Sequence, residues 1–244
     1  TLPLDKVGEL YTEYQIKEGD QTYVGSVPKD PEKMSKQKQI PYGNLLEFVA
    51  ERFHCDHELL TALNPGKDLN ALKPGDTIVV PNVQPFEIEK IAAEGKEDVT
   101  VAGDKESKVE LHVNTSSSLL ELKEGDKVVG SYPVTPGSDE KATPKGTWEV
   151  KFMAQMPTYK WDTKMFKGEG KGGEEGRKYT IPPGVNNPVG VIWMQLTPDG
   201  VGMHGTPEPE TIGRAGSHGC IRLSNWDAID LSSKISKGTK VVIE

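Results

Sequence analysis

The sequence has 244 residues, enough for one large domain or for a catalytic domain with a small additional module. The net charge of -8 argues against a nucleic-acid partner, which favours a basic surface. No run of about 18 apolar residues is present, so the sequence predicts no membrane-spanning helix. The 26 Gly and 18 Pro residues favour turns and short strands over long helices.

The first third of the sequence predicts a small α+β module. Residues 11–17 alternate in the manner of a strand, and apolar residues at helical spacing predict a helix over 43–54. Asp56 is a typical N-cap for a second short helix, which ends at an Asn-Pro-Gly sequence. A Pro-Gly-Asp turn then leads into a strand over 77–80.

This order of strand, GD turn, two helices and strand, with ALNP and PGDTIVVP in its second half, resembles a LysM module. The resemblance implies a βααβ fold that binds the N-acetylglucosamine backbone of peptidoglycan or chitin. Residues 21–40 stand where that family passes almost directly from the GD turn into the first helix. We therefore assign residues 1–83 to a LysM-like module with an insertion at 21–40.

The rest of the sequence predicts a connecting segment over 84–105 and then a mostly β domain over 106–244. The stretches VELHVN, GTWEVKF and VIWMQLT have the apolar pattern of strands and are separated by turns rich in Gly, Asp and Lys. One helix is predicted over 225–235, because Ser224 and Asp227 form a helix-start signal. A final strand closes the sequence.

Side chains able to transfer protons or act as nucleophiles gather near the end of this domain. They are His204, Ser217, His218 and Cys220. A cysteine nucleophile needs a base or an electropositive setting that lowers its pKa, and histidine is the natural base. Gly219, just before the sulfur, leaves room for a substrate carbonyl and for backbone N–H donors.

Spacing alone leaves three interpretations of this segment open. The first is a thiol nucleophile with a histidine base. The second is a zinc site formed by His204, His218 and Cys220, although the C-x-x-C or H-x-x-x-H pair that usually anchors zinc is absent from the segment. The third is a structural turn with incidental residues.

The whole stretch HGTPEPETIGRAGSHGCIRLSNWDAIDL resembles the active-site segment of the L,D-transpeptidases, the YkuD domain family. The signature of that family is His-Gly, a spacer, and then Ser/Thr-His-Gly-Cys. LHVN, TPKGTWEV and PVGVIWMQL are similar to its supporting stretches and occur in the same order. The resemblance implies a β-sandwich-like catalytic domain over 106–244, and Arg222 marks one large branch of the family.

The resemblance also implies a reaction. Cys220 would attack the third residue of a peptidoglycan tetrapeptide stem and form a thioester, and an amine of a second stem would resolve it into a 3–3 crosslink. His204 would be the general base and acid. An acidic partner for His204 is not evident, so a backbone carbonyl is the expected orienting group.

Neighbouring residues receive supporting roles from the same resemblance. The implied catalytic group is Cys220, His204, His218, Ser217 and Gly219. The backbone N–H groups of Gly219 and Cys220 are the expected oxyanion donors. The implied substrate-binding residues are Arg222, Gly205 and Tyr159. For Arg222, a bidentate contact with a substrate carboxylate and a structural ion pair both stay open.

Structural roles are expected for the other titratable and aromatic residues. Cys55 is expected to be a small buried residue, His112 a strand-packing residue, Trp161 a packed aromatic and Trp193 a core residue. We expect no cofactor and no metal. A disulfide is also not expected, because Cys220 must be a free thiol.

The expected partners are stem peptides and glycan strands of peptidoglycan. Such a substrate implies action in the periplasm or cell wall, with an export signal or anchor missing from this sequence. Two alternatives stay open: an L,D-carboxypeptidase, in which water replaces the acceptor amine, and a wall-binding protein with an inactive catalytic domain.

Overall fold

The computed structural model describes residues 8–91, 108–166, 176–214 and 216–244. These residues form two compact units. The first unit comprises Thr1–Val27 and Pro41–Lys90, and the second comprises Pro28–Ile40 and Ile91–Glu244. Within the described ranges, every helix is too short or too polar to cross a membrane.

In the described residues, the two units contain four α-helices and twelve strands. The helices are α1 (Pro31–Ser35), α2 (Leu45–Arg52), α3 (His57–Leu63) and α4 (Asn225–Lys234). The strands are β1 (Tyr11–Gln15), β2 (Thr77–Pro81), β3 (Glu110–Asn114), β4 (Leu119–Glu124), β5 (Lys127–Pro133), β6 (Gly146–Gln155), β7 (Tyr159–Asp162), β8 (Lys178–Ile181), β9 (Ile192–Leu196), β10 (Gly202–His204), β11 (Ile221–Arg222) and β12 (Lys240–Ile243).

The first unit has the predicted order of strand, two helices and strand. Its strands β1 and β2 pair antiparallel. Asn44 starts α2 by accepting a hydrogen bond from a backbone N–H at 2.8 Å, and Asp56 starts α3 in the same way at 2.7 Å. Local capping chemistry therefore sets both helices where the sequence predicts them, while the identification of this unit as a LysM module stays a prediction.

Residues 28–40, most of the predicted insertion, belong to the second unit, where α1 packs against β8. Ile40 is fully buried. Its N–H donates to the Pro183 carbonyl at 2.8 Å, and its carbonyl accepts from the N–H of Asn186 at 3.3 Å. A side chain on Gly184 would overlap with the Ile40 backbone, so only glycine fits there. Residues 28–40 are thus an integral part of the second unit.

The predicted connecting segment is divided between described and undescribed residues. Its residues 92–105 lie outside the described ranges. The part that precedes them belongs to the first unit, where the Phe86 N–H donates to the Arg52 carbonyl at 2.8 Å. Arg52 also forms an ion pair with Glu89 at 2.9 Å.

Eight strands of the second unit form one sheet in the order β11-β10-β9-β6-β12-β3-β4-β5. The long strand β6 pairs with β12 through its first residues and with β9 through the rest, with a register shift between Val150 and Phe152. Thr135, just after β5, exchanges two 2.9 Å backbone hydrogen bonds with Arg222 of β11. The two edges of the sheet therefore meet, and the sheet curls. The prediction of a mostly β domain is confirmed.

Helix α4 packs against β9 and β10. The Ser224 hydroxyl accepts from the N–H of Asp227 at 3.2 Å and donates to its carboxylate at 2.8 Å. This is the helix-start arrangement that the sequence predicts. Ala228 and Leu231 are fully buried on the inner face of the helix. The helix thus supports, from one side, the strands that carry the reactive residues.

Candidate active site

Strand pairing brings Cys220 and His204 together. β10 and β11 are parallel, with Met203 opposite Ile221 and His204 opposite Arg222. Cys220, one residue before β11, therefore lies level with Gly202. Because side chains alternate along a strand, Cys220 and Arg222 share one face of the sheet with His204. The pairing joins residues that a long loop separates in sequence.

The imidazole of His204 is held in one tautomer. Its Nδ1 lies 2.6 Å from the Gly205 carbonyl, which can only accept, so Nδ1 carries the proton and Nε2 is the basic nitrogen. Trp193, opposite on β9, stacks on the ring with centroids 5.5 Å apart and an interplanar angle of 20°. The Gly205 carbonyl is thus the backbone group that the sequence leads us to expect in place of an acidic residue.

Burial decides the charge of His204, whose exposed fraction is 5%. Loss of solvent lowers its pKa to about 4, the hydrogen bond to Gly205 opposes this, and the positive charge of Arg222 adds to it. The imidazole is therefore neutral near pH 7 and is able to accept a proton.

The Cys220 thiol is half-buried and free, and its sulfur lies 3.6 Å from the Gly200 carbonyl. Burial raises the thiol pKa, while the N–H of Gly202 and the charge of Arg222 lower it. The net direction is upward, so the thiol is neutral at rest. A neutral thiol beside a neutral imidazole needs proton transfer at the moment of attack.

Ser217 organises the turn that precedes the sulfur. Its buried hydroxyl donates to the Cys220 carbonyl and accepts from the N–H of Gly219 at 3.2 Å. Gly219 has a φ of +103°, a conformation that favours glycine. The Ser217 N–H donates to the Pro136 carbonyl, and its own carbonyl accepts from the N–H of Ser138, both at 2.9 Å. The turn is therefore fixed by bonds on both sides.

One of the two expected oxyanion donors is already engaged. The Gly219 N–H is donated to Ser217, as described above. The N–H of Cys220 lies in the same turn and points to no acceptor among the described residues. Of the two, Cys220 is therefore the donor that remains available for a substrate oxygen.

Two of the predicted substrate-binding residues, Arg222 and Tyr159, lie within electrostatic range of Cys220. Burial raises the pKa of Tyr159, a negative charge on Cys220 raises it further, and the Arg222 charge lowers it. Trp161 is 8% exposed and meets Tyr159 edge to face at 6.1 Å, which confirms its prediction as a packed aromatic.

The other histidines and the second cysteine singled out in the sequence lie in different places. His218 lies in the Ser217–Cys220 turn and is half-buried. Within the described part of the chain, the residues of the zinc interpretation do not form a group of three or more potential metal ligands. His112, on β3, lies 3.5 Å from the Glu110 carboxylate. Cys55 is half-buried and free, and burial raises its pKa to about 12.

Trp193 was expected in the core, and that prediction is wrong. The side chain is half-buried and covers the His204 ring. Sequence reasoning also missed Thr135, which joins the sheet edges behind Arg222, and Gly202, whose N–H faces the sulfur. The alternation in VIWMQL and VGMHG shows which side chains share a face of each strand. Which of them meet across the two strands can be predicted only when the strand register is known.

The chain is similar to known proteins of one family. The L,D-transpeptidase catalytic domain family, YkuD, matches residues 108–243. A Bacillus licheniformis protein named as a candidate L,D-transpeptidase, YkuD, is 25% identical over 210 residues, which cover 84% of this chain and 96% of that protein. A Bacillus subtilis protein named as a candidate L,D-transpeptidase, YqjB, is 31% identical over 137 residues, or 54% of this chain and 68% of that protein. The solved L,D-transpeptidase from Mycobacterium smegmatis is 23% identical with a TM-score of 0.43, covering 57% of this chain and 59% of that chain. The chain belongs to the L,D-transpeptidase catalytic domain family.

Proposed function

We propose that the protein forms 3–3 crosslinks in peptidoglycan through a thioester on Cys220. The observation that carries the proposal is the strand register, which places a neutral Cys220 thiol and a buried, neutral His204 on one face of neighbouring strands. The contact between Nδ1 and the Gly205 carbonyl leaves Nε2 as the base. Membership of the family supplies the substrate class, a peptidoglycan stem peptide.

In the first half-reaction, the Cys220 sulfur attacks the carbonyl carbon of the third residue of a tetrapeptide stem. Nε2 of His204 takes the thiol proton as the S–C bond forms. The C–N bond to the terminal D-Ala then breaks, and the imidazolium gives its proton to the departing amine. The products are a thioester and free D-Ala.

In the second half-reaction, the side-chain amine of another stem attacks the thioester carbonyl. His204 takes a proton from the attacking amine, the S–C bond breaks, and the proton passes to the sulfur. The products are a 3–3 crosslink and the resting thiol. An imidazole with a pKa of about 4 is unprotonated near pH 7, so His204 is able to accept a proton before each attack.

The oxygen of the tetrahedral intermediate needs donors near the sulfur. The N–H of Cys220 is the backbone donor that we propose, since Ser217 already accepts from the N–H of Gly219. Arg222 and Tyr159 are proposed substrate contacts, because the charge of Arg222 acts on the Cys220 thiol and a charge on Cys220 acts on Tyr159. An Arg222 guanidinium beside the reacting carbonyl suits a carboxylate of the donor stem.

Incubation with purified disaccharide-tetrapeptide tests the proposal. We expect 3–3 linked dimers and released D-Ala, separated by chromatography and identified by mass spectrometry. Tripeptide monomers without dimers would instead identify an L,D-carboxypeptidase. Unchanged substrate, together with a Cys220 that no carbapenem acylates, would favour a wall-binding protein with an inactive domain.

The two cysteines provide a matched pair of variants. Cys220→Ala should abolish both turnover and acylation by a carbapenem, because the nucleophile is lost. Cys55→Ala should leave both unchanged, because that thiol lies in the first unit and its high pKa makes it unreactive. Turnover by Cys220→Ala would require another nucleophile and would contradict the proposal.

The substrate also suggests where the protein works and what its first unit does. Peptidoglycan lies outside the cytoplasmic membrane, so we propose action in the periplasm or cell wall. The βααβ unit is proposed to bind glycan strands. Co-sedimentation of the Cys220→Ala variant with insoluble peptidoglycan tests that binding separately from catalysis.

A further inference from the structure

Asn225, the first residue of α4, is completely buried and has no part in the reaction described above. Its side-chain Oδ1 accepts from the N–H of Val191 at 3.1 Å, and its Nδ2 donates to the Val185 carbonyl at 3.3 Å. The amide therefore ties the start of the helix to the backbone that leads into β9.

The same amide lies against two glycines. A Cβ on Gly190 or on Gly205 would overlap with Oδ1 of Asn225. Gly190 has a φ of +62°, so its backbone conformation also favours glycine. Gly205 does not lie in the left-handed region, so lack of space alone excludes a side chain there. The Asn225 amide is thus in close contact with the Gly205 backbone.

Gly205 is the residue whose carbonyl orients His204. Its N–H is fixed from the sheet side by the Ile192 carbonyl at 3.2 Å. Asn225 packs against it from the helix side. Both contacts therefore lie on the residue whose carbonyl is 2.6 Å from Nδ1 of His204.

We infer that Asn225 is a positioning residue for His204. Its amide holds the Gly205 peptide in the orientation that accepts a hydrogen bond from Nδ1, and so keeps Nε2 as the basic nitrogen. The inference deepens the proposed function, because it rests on His204 being the base. Removal of the amide should let the peptide turn and should mix the two imidazole tautomers.

The test compares the Asn225→Ala variant with the wild-type protein. We expect the acylation rate by a carbapenem to fall about tenfold to a hundredfold, by analogy with the removal of groups that orient metal-binding histidines. Nitrogen-15 NMR of the imidazole should show a smaller fraction of the Nδ1–H tautomer of His204. A loss of stability alone would not move that signal.

Asn64 supplies the matched control. It is also a buried asparagine, and its amide bonds the backbone of Leu60 and Val79 at 2.8–2.9 Å in the first unit. Asn64→Ala should lower stability but leave the tautomer and the acylation rate unchanged. If Asn225→Ala also keeps both at wild-type values, the inference is wrong.

A second pair of variants covers the case in which Asn225→Ala folds poorly. Gly205→Ala should lose acylation, because its methyl group overlaps with Oδ1 of Asn225. The double variant with Asn225→Ala removes that overlap and should recover part of the rate. Additive losses in this cycle would overturn the inference.

Failure of the inference and failure of the proposed function have different signatures. The tautomer of His204 is measured in the resting protein and does not require turnover. A wild-type protein that shows the Nδ1–H tautomer but is never acylated would refute the function alone. A normal tautomer in Asn225→Ala would refute the inference alone.

Discussion

Acid should destabilise the second unit through His204. The pKa of its imidazole is about 4 in the folded protein, against an ordinary value of 6.5. Below pH 6.5 His204 is therefore protonated in the unfolded chain, whereas in the folded chain it stays unprotonated down to about pH 4. The stabilisation is complete above pH 6.5 and is lost as the pH falls toward 4.

The size of this effect follows from the two pKa values. Between pH 7 and pH 5, the extra protonation of the unfolded chain lowers the free energy of unfolding by about 2 kcal/mol. Carboxyl groups add their own pH dependence. The useful quantity is therefore the difference between the wild type and His204→Gln, which has no group that titrates at this position.

Urea unfolding followed by tryptophan fluorescence gives this difference. All four tryptophans, Trp148, Trp161, Trp193 and Trp226, lie in the second unit, so the signal reports that unit. From pH 7 to pH 5, the wild type should lose about 2 kcal/mol more than His204→Gln.

Met203→Leu is the control, because this buried neighbour in β10 does not titrate and its replacement should act equally at both pH values. Equal losses in the wild type and His204→Gln would mean that the folded protein protonates His204 near its ordinary pKa. His204 would then be protonated at acidic pH and could not act there as a neutral base.

Three further predictions concern other parts of the second unit. Ser217→Ala leaves the Cys220 carbonyl and the Gly219 N–H without their partner, so stability should fall by about 1–3 kcal/mol and carbapenem acylation should slow; a wild-type acylation rate would show that the turn does not position the sulfur. Arg222→Met removes a charge that lowers the thiol pKa, so alkylation of Cys220 by iodoacetamide should require a higher pH; an unchanged pH profile would contradict the electrostatic role. Ile40→Ala removes a fully buried side chain and should cost about 2–5 kcal/mol, against about 0.5–1.5 kcal/mol for Ile40→Val; faster hydrogen exchange at the N–H of Asn186 would locate the damage, and unchanged exchange would show that this contact is dispensable.

Features set by local chemistry could be read from the sequence. Asp56 and Ser224 cap the helices that follow them, as predicted, because an N-cap acts within three residues of the chain. The strands over 77–80 and near the end of the sequence also occur as predicted, since alternation is a local pattern.

Features set by long-range pairing could not be read in the same way. The stacking of Trp193 on His204 depends on the register of β9 with β10, and the contact of Ile40 with Pro183 joins distant parts of the chain. Membership of the insertion in the second unit follows from such contacts. At Cys220 the resemblance to a known motif made up for the missing strand register. It assigned His204 as the base for Cys220, an assignment that the spacing of the residues alone left open.

The order in which segments of the two units follow one another along the chain affects how fragments of the protein should be designed. The second unit is discontinuous in sequence, because residues 28–40 belong to it while the residues on both sides belong to the first unit. A fragment that begins after Lys90 therefore lacks Ile40 and exposes the backbone groups of Pro183 and Asn186 that it satisfies. A chain cleaved once between Ile91 and Val109 should migrate as a single species until denatured, since the amino-terminal piece still contributes a buried segment to the other.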